Sequence, residues 1–113
     1  MDKNIEIGLL MDFYGELLTN RQKDIMDLYY NDNLSLSEIA EELEISKQGV
    51  QDNIKRAEKS LYEVEEKLGL LDKFQNHSEK INSAINILKE IKQASADNRL
   101  REIENILNEL LND

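Results

Sequence analysis

Leu34-Ser35-Leu36-Ser37-Glu38-Ile39-Ala40-Glu41-Glu42-Leu43-Glu44-Ile45-Ser46-Lys47-Gln48-Gly49-Val50 holds two helix starts and one helix stop. Ser35 and Glu38 have the spacing of a capping box, in which the hydroxyl takes the amide of Glu38 and the carboxylate reaches back to the amide of Ser35. The pattern predicts a helix from Leu36. Leu34 before the cap and Ile39 inside the first turn suit a hydrophobic staple, and Ile39, Ala40 and Leu43 form one apolar stripe. Glu44-Ile45-Ser46 breaks this helix, with Ile45 as a buried plug and Ser46 as a second N-cap. The next helix has Val50, Ile54 and Ala57 inward. Two helices joined by so short a turn cross steeply, and Ala40 is small enough to let them approach. The outward face of the second helix, with Lys47, Gln48, Gln51, Asp52 and Lys55, is left to touch something else.

Upstream, Thr19 and Gln22 repeat the capping-box spacing and predict a helix to about Tyr30, with Ile25, Met26, Leu28, Tyr29 and Tyr30 largely in the core. Asn31-Asp32-Asn33 ends it. A first helix is expected from about Ile5 to Leu17, with Leu10, Phe13, Tyr14, Leu17 and Leu18 on its apolar face. Gly8 and Gly15 lower its intrinsic stability by roughly 1 kcal/mol each against alanine. Downstream, Val50, Ile54, Ala57, Leu61, Val64, Leu68 and Leu71 alternate four and three residues apart. This seam predicts one helix from Lys47 to about Phe74, about 37 Å long over Lys47 to Leu71.

Two further amphipathic helices complete the pattern, one carrying Ile81, Ala84, Ile85, Leu88 and Ile91, the other Leu100, Ile103, Ile106, Leu107, Leu110 and Leu111. Gln93 to Asn98 joins them, with Ser95 or Asp97 as cap. The expected fold is therefore all-α with six helices. Residues 1–62 form a winged-helix-like helix-turn-helix domain, and residues 63–113 form a C-terminal helical element that continues the long helix. That element either closes on itself as a hairpin or bundle, or pairs with the same segment of a second chain as a homodimer.

Composition agrees with an almost wholly helical chain: 113 residues without proline or cysteine, and only 4 glycines. Disulfides and thiolate metal sites are excluded. No apolar run approaches the roughly 20 residues needed to span a bilayer, and Met1-Asp2-Lys3-Asn4 does not read as a signal peptide. A cytoplasmic protein with no membrane partner is expected.

The formal net charge of -10 is unevenly spread. Residues 1–45 hold 3 basic and 11 acidic side chains, residues 46–71 hold 5 of each, and residues 72–113 hold 6 basic and 8 acidic. Phosphate neutralisation supplies most non-specific nucleic-acid affinity, so the sum argues against such a partner while the distribution leaves one surface for it. Between Ser46 and Ser60, Lys47, Lys55, Arg56 and Lys59 outnumber Asp52 and Glu58. The candidate nucleic-acid-binding residues are thus Ser46, Lys47, Gln48, Gln51, Asp52, Lys55, Arg56 and Lys59. Asp52 repels phosphate but is able to accept from cytosine N4 in a major groove, or to pair with Arg56 one turn on.

Catalysis finds no support. His77 is the only imidazole and falls in Gln75-Asn76-His77-Ser78, which reads as a solvated polar connection. Glu41, Glu42 and Glu44, like Glu63, Glu65 and Glu66, point in different directions on a helix and do not chelate one ion. No phosphate loop, nucleophile elbow or metal-ligand spacing occurs. The expectation is a non-enzyme with no cofactor and no metal.

Leu18-Thr19-Asn20-Arg21-Gln22-Lys23, Leu28-Tyr29-Tyr30, Leu34-Ser35-Leu36-Ser37-Glu38-Ile39-Ala40 and Ile45-Ser46, continued by Val50, Ile54, Arg56-Ala57 and Leu61, resemble region 4 of bacterial sigma factors. That resemblance implies a DNA-reading module with Ser46, Lys47, Gln48, Gln51, Asp52 and Lys55 toward a major groove. The turn position often held by glycine carries Glu44, and the reading face lacks the arginines typical of tight promoter recognition. Over the whole chain, Leu10-Met11-Asp12-Phe13-Tyr14, Leu17-Leu18-Thr19-Asn20, Tyr29-Tyr30, the Leu34–Ala40 stretch and Asp52-Asn53-Ile54-Lys55-Arg56 resemble the YlxM family. The resemblance implies a small helix-turn-helix protein of Gram-positive bacteria, encoded beside signal recognition particle GTPase genes and assisting or regulating that pathway. Two functions follow as expectations. One is a regulator contacting DNA or structured RNA; the other is an adaptor whose acidic front and tail helices dock on a basic protein such as the particle's GTPase.

Overall fold

The computed structural model describes residues 2–112; Met1 and Asp113, the outer ends of the two expected domains, lie outside the described residues. Six helices follow in order: α1 (Lys3–Tyr14), α2 (Asn20–Tyr30), α3 (Leu36–Leu43), α4 (Lys47–Leu68), α5 (Leu70–Ala94) and α6 (Asn98–Asn112), with a 3-10 turn over Gly15–Leu17. There is no strand, and hence no wing, among the described residues. The chain falls into two compact units, Met1–Leu71 and Asp72–Asp113, and α5 runs through the division. The anticipated boundary after residue 62 falls inside α4.

In the first unit α4 is the spine on which α1, α2 and α3 pack. Its inward positions Val50, Ile54, Ala57 and Leu61 meet Ile7, Leu10 and Tyr14 of α1, Ile25 and Met26 of α2, and Ile39 of α3 in one buried cluster. Leu71 is the last member of that cluster. Burying each such aliphatic side chain contributes about 1.5–3 kcal/mol, so this cluster is the main source of stability. The apolar face of α1 differs from the expected one. Phe13 is 39% exposed and Leu17 68%, while Ile7 is fully buried. The cause is local: the helix tightens into the 3-10 turn after Tyr14, which turns Leu17 outward and brings Leu18 in.

Both capping boxes form. Thr19 Oγ1 accepts from Gln22 N at 3.1 Å and Gln22 Oε1 from Thr19 N at 3.0 Å; Ser35 and Glu38 exchange the same pair at 3.1 and 3.0 Å. The hydrogen bonds from Ser35 hold the Glu38 carboxyl below its ordinary value. α3 stops in a Schellman motif, in which Ile45 N donates to Ala40 O at 3.1 Å and Glu44 N to Glu41 O at 3.4 Å. Glu44 sits at the left-handed position, φ 56° and ψ 42°. An L side chain is disfavoured there, and a carboxylate faces the negative end of the α3 dipole. Glu44→Gly is expected to raise stability by about 1 kcal/mol, seen as a higher urea midpoint; a lower midpoint would show that the side chain is needed.

The single long helix is the clearest departure from the sequence pattern. α4 ends at Leu68, because Gly69 turns left-handed at φ 65° and its amide closes on Glu65 O at 2.8 Å. Leu68, which continues the apolar spacing, is 53% exposed. A new helix starts at once, and Tyr14 from α1 together with Glu65 from the end of α4 caps it in place of an adjoining Ser, Thr, Asp or Asn. Tyr14 Oη accepts from Leu70 N at 3.1 Å, and Glu65 Oε1 accepts from Leu71 N at 2.9 Å. The same Tyr14 hydroxyl donates to Glu65 Oε1 at 2.6 Å. Burial and the Glu65 carboxylate raise the Tyr14 hydroxyl above its ordinary value.

In the second unit, α5 continues unbroken through Gln75-Asn76-His77-Ser78, so His77 is an exposed helical residue and not part of a connection. No glycine or proline interrupts that stretch, and exposed polar side chains are compatible with a helix. Ser95-Ala96-Asp97 links α5 to α6, and Asp97 caps α6 by accepting from Arg99 N at 2.9 Å. Lys92 and Glu104 form an ion pair between the two helices at 3.0 Å. Among the described residues of this unit Ile85 is the buried apolar side chain, whereas Ile87, Ile91, Ile103, Ile106 and Leu110 are 44–57% exposed.

Candidate nucleic-acid interface

The candidate face is built by the start of α4. Ser46 Oγ accepts from Gly49 N at 2.9 Å and fixes the first turn. A Cβ on Gly49 would lie 3.1 Å from that oxygen, so glycine leaves room for the cap. With Val50, Ile54 and Ala57 anchored inward, the 100° step of a helix sends Lys47, Gln51, Lys55, Gln48, Lys59, Asp52 and Arg56 over about half of the circumference on the other side. They extend along roughly 18 Å of helix, a length that fits a major groove.

Ser46, Lys47, Gln48, Lys55, Arg56 and Lys59 are exposed, and Gln51 and Asp52 are partly so. The structure thus brings all eight predicted residues onto one solvent-facing side. Their pairing separates them. Gln48 Nε2 donates to Asp52 Oδ1 at 2.9 Å. Asp52 therefore takes its partner one turn back, at Gln48, rather than at Arg56; the Gln–Asp spacing of four residues is the signal that reveals it. Lys59 has Glu63 at 3.9 Å, a long contact between exposed side chains. Lys47, Lys55 and Arg56 form no ion pair with any described residue.

The helix that precedes this face and packs on α4, α3, carries acidic side chains. Glu38, Glu41 and Glu42 of α3 are exposed. Glu58, at the far edge, is occupied: it accepts from the Tyr30 hydroxyl and pairs with Lys3 at 3.4 Å. Burial and Glu58 push the Tyr30 hydroxyl well above its ordinary value. Tyr29 and Tyr30 stack edge to face with centroids 5.0 Å apart, so the pair is part of the packing and not a platform for bases. Among the described residues, no group of three or more His, Cys, Asp or Glu is placed to hold a metal ion. No helix among them is long and apolar enough to cross a membrane.

Fold and face together define an all-α helix-turn-helix protein. The family described as "Putative helix-turn-helix protein, YlxM / p13 like" matches residues 1–109, and the chain belongs to that family. It is 58% identical over 92 residues to a relative from Acetivibrio thermocellus, covering 81% of this chain and 76% of the relative. It is 50% identical over 97 residues to YlxM of Bacillus subtilis, covering 86% and 84%. A relative from Desulforamulus reducens is 43% identical over 106 residues, with 94% and 91% covered.

Proposed function

We propose that this protein is a cytoplasmic, non-enzymatic regulator that contacts DNA or structured RNA through the exposed side of α4. One observation carries the reading: Lys47, Lys55 and Arg56 project from the second helix of a helix-turn-helix without an ion pair to any described residue. A helix in this position places its first residues against base edges and its cations against phosphates. Three cations without an ion pair to any described residue, amid an acidic chain, make a small electrostatic set, so binding is modest and log affinity falls with log salt at a slope of only about 3. The test is a salt titration of the intact chain on duplex DNA and on a structured RNA, followed by fluorescence anisotropy. Affinity that falls as salt rises supports the reading; absence of binding at low salt overturns it. Resemblance to the YlxM family supports a regulatory role linked to the signal recognition particle.

The C-terminal helices α5 and α6 are the association element in this reading, and their partner is the same segment of a second copy. Its apolar stripe is exposed, and with 6 basic and 8 acidic side chains over residues 72–113 it is nearly balanced in charge, so two copies approach without the repulsion that residues 1–45 would impose. Sedimentation equilibrium is expected to give a dimer that Ile103→Glu with Ile106→Glu converts to monomer. A monomer at all concentrations overturns this part.

A further inference from the structure

α1 and α2 both lie on α4, and between them runs an open furrow of about 340 Å³. Its floor is apolar, with Ile5, Leu9, Met11 and Met26, and Asp12 and Asp27 stand on its rim. A second depression shares Met11 and Asp27 with it and adds Glu16 and Asp24, so the furrow continues along a line of carboxylates. Lys23, the one cation among the described residues that line it, is bound by Glu16 at 3.0 Å.

Gly8 lies in the furrow, inside α1. A glycine in a helix interior costs about 1 kcal/mol against alanine. Among the described residues nothing calls for it: beyond its own helix backbone and chain neighbours a Cβ would meet no atom within 4 Å, and the backbone is ordinary helix. The missing side chain instead opens the furrow floor to a group from outside.

We propose that this furrow receives a basic amphipathic helix of a partner protein, its apolar side on Met11, Leu9 and Met26 and its lysines or arginines against Asp12, Asp27 and Asp24. Charge selects this occupant: residues 1–45 carry 11 acidic and 3 basic side chains, which repel an acidic or nucleic-acid ligand and attract a cationic one. The apolar floor selects a helix with one greasy side over a purely polar segment, the groove-binding mode of amphipathic helices. This surface is separate from the α4 face, and the inference stands whether or not α4 binds nucleic acid.

The probe is a labelled helical peptide of about 18 residues with leucine on one face and lysine on the other, beside a scrambled peptide and one with every lysine changed to glutamate. Titrated into the intact 15N-labelled chain, the lysine peptide is expected to shift the amides of Gly8, Leu9, Asp12 and Asp27 most. The glutamate and scrambled peptides are expected to bind at least about tenfold more weakly. Gly8→Leu, which fills the furrow, and Asp12→Lys with Asp27→Lys, which reverses its exposed rim, are each expected to weaken binding by about tenfold or more. Gly8→Ala is expected to melt at a higher temperature than the parent. Shifts centred on α5 and α6, equal binding of all three peptides, or undiminished binding by a folded Gly8→Leu variant and the double lysine variant would overturn the proposal.

Discussion

Alanine at Lys47, Lys55 and Arg56 together is expected to reduce affinity for duplex DNA or structured RNA by about two to three orders of magnitude at 0.1 M salt. Each side chain is exposed and unpaired with any described residue, so each is available to replace one condensed counterion. The plot of log affinity against log salt is expected to flatten by about 3, one unit for each lost phosphate contact. Lys59→Ala should matter less, because Glu63 lies 3.9 Å from that ammonium. Stability should stay within about 0.5 kcal/mol of the parent, since all three are exposed, and neither the Ser46 cap nor a core side chain is removed. Anisotropy titrations at several salt concentrations, with urea unfolding as the control, give both readouts. Unchanged slope and affinity in the triple variant would remove α4 as the contacting surface.

Glu65→Ala is expected to destabilise the first unit by about 2–3 kcal/mol, a larger loss than any exposed glutamate should give. Its Oε1 accepts from the buried Tyr14 hydroxyl and from Leu71 N, while the Tyr14 oxygen takes Leu70 N. Removing the carboxylate leaves the hydroxyl proton and a first-turn amide of α5 without their acceptor, and withdraws a negative charge from the positive end of that helix. Alanine's better helix propensity returns only a few tenths of a kcal/mol. Tyr14→Phe should cost less. Combined with Glu65→Ala it should add little, because the two act through shared hydrogen bonds. Urea unfolding gives the energies, and amide exchange at Leu70 and Leu71 gives the location; a loss under about 0.5 kcal/mol with unchanged exchange would mean that Gly69 alone sets the break.

These two sites show where the sequence was readable. The start of each of α2, α3 and α4 was written within four consecutive residues: Thr19 to Gln22, Ser35 to Glu38, and Ser46 to Gly49. The outward side of α4 followed from the same local facts, since once Val50, Ile54 and Ala57 face the core, Lys47 and Lys55 do not. The end of α4 was hidden for the opposite reason. Leu61, Val64, Leu68 and Leu71 keep helical spacing across it, and the groups that cap α5 include Tyr14, 56 residues before Leu70. Only Gly69 gave a local sign. His77 was misplaced because a run of polar residues reads alike as a loop or as an exposed helix when no glycine or proline decides between them. Leu17 went outward because hydrophobic spacing carries no mark of a 3-10 turn.

That the buried cluster closes with Leu71 has a consequence for synthesis on the ribosome. Every side chain this cluster requires has been translated by then, and its helix starts are specified by neighbours, so the ordering of this unit need not wait for the remaining residues. Helical units with mostly near-neighbour contacts order in microseconds to milliseconds, whereas translation adds about 5–20 residues per second. The first unit is thus able to acquire its native shape while the second is still being made.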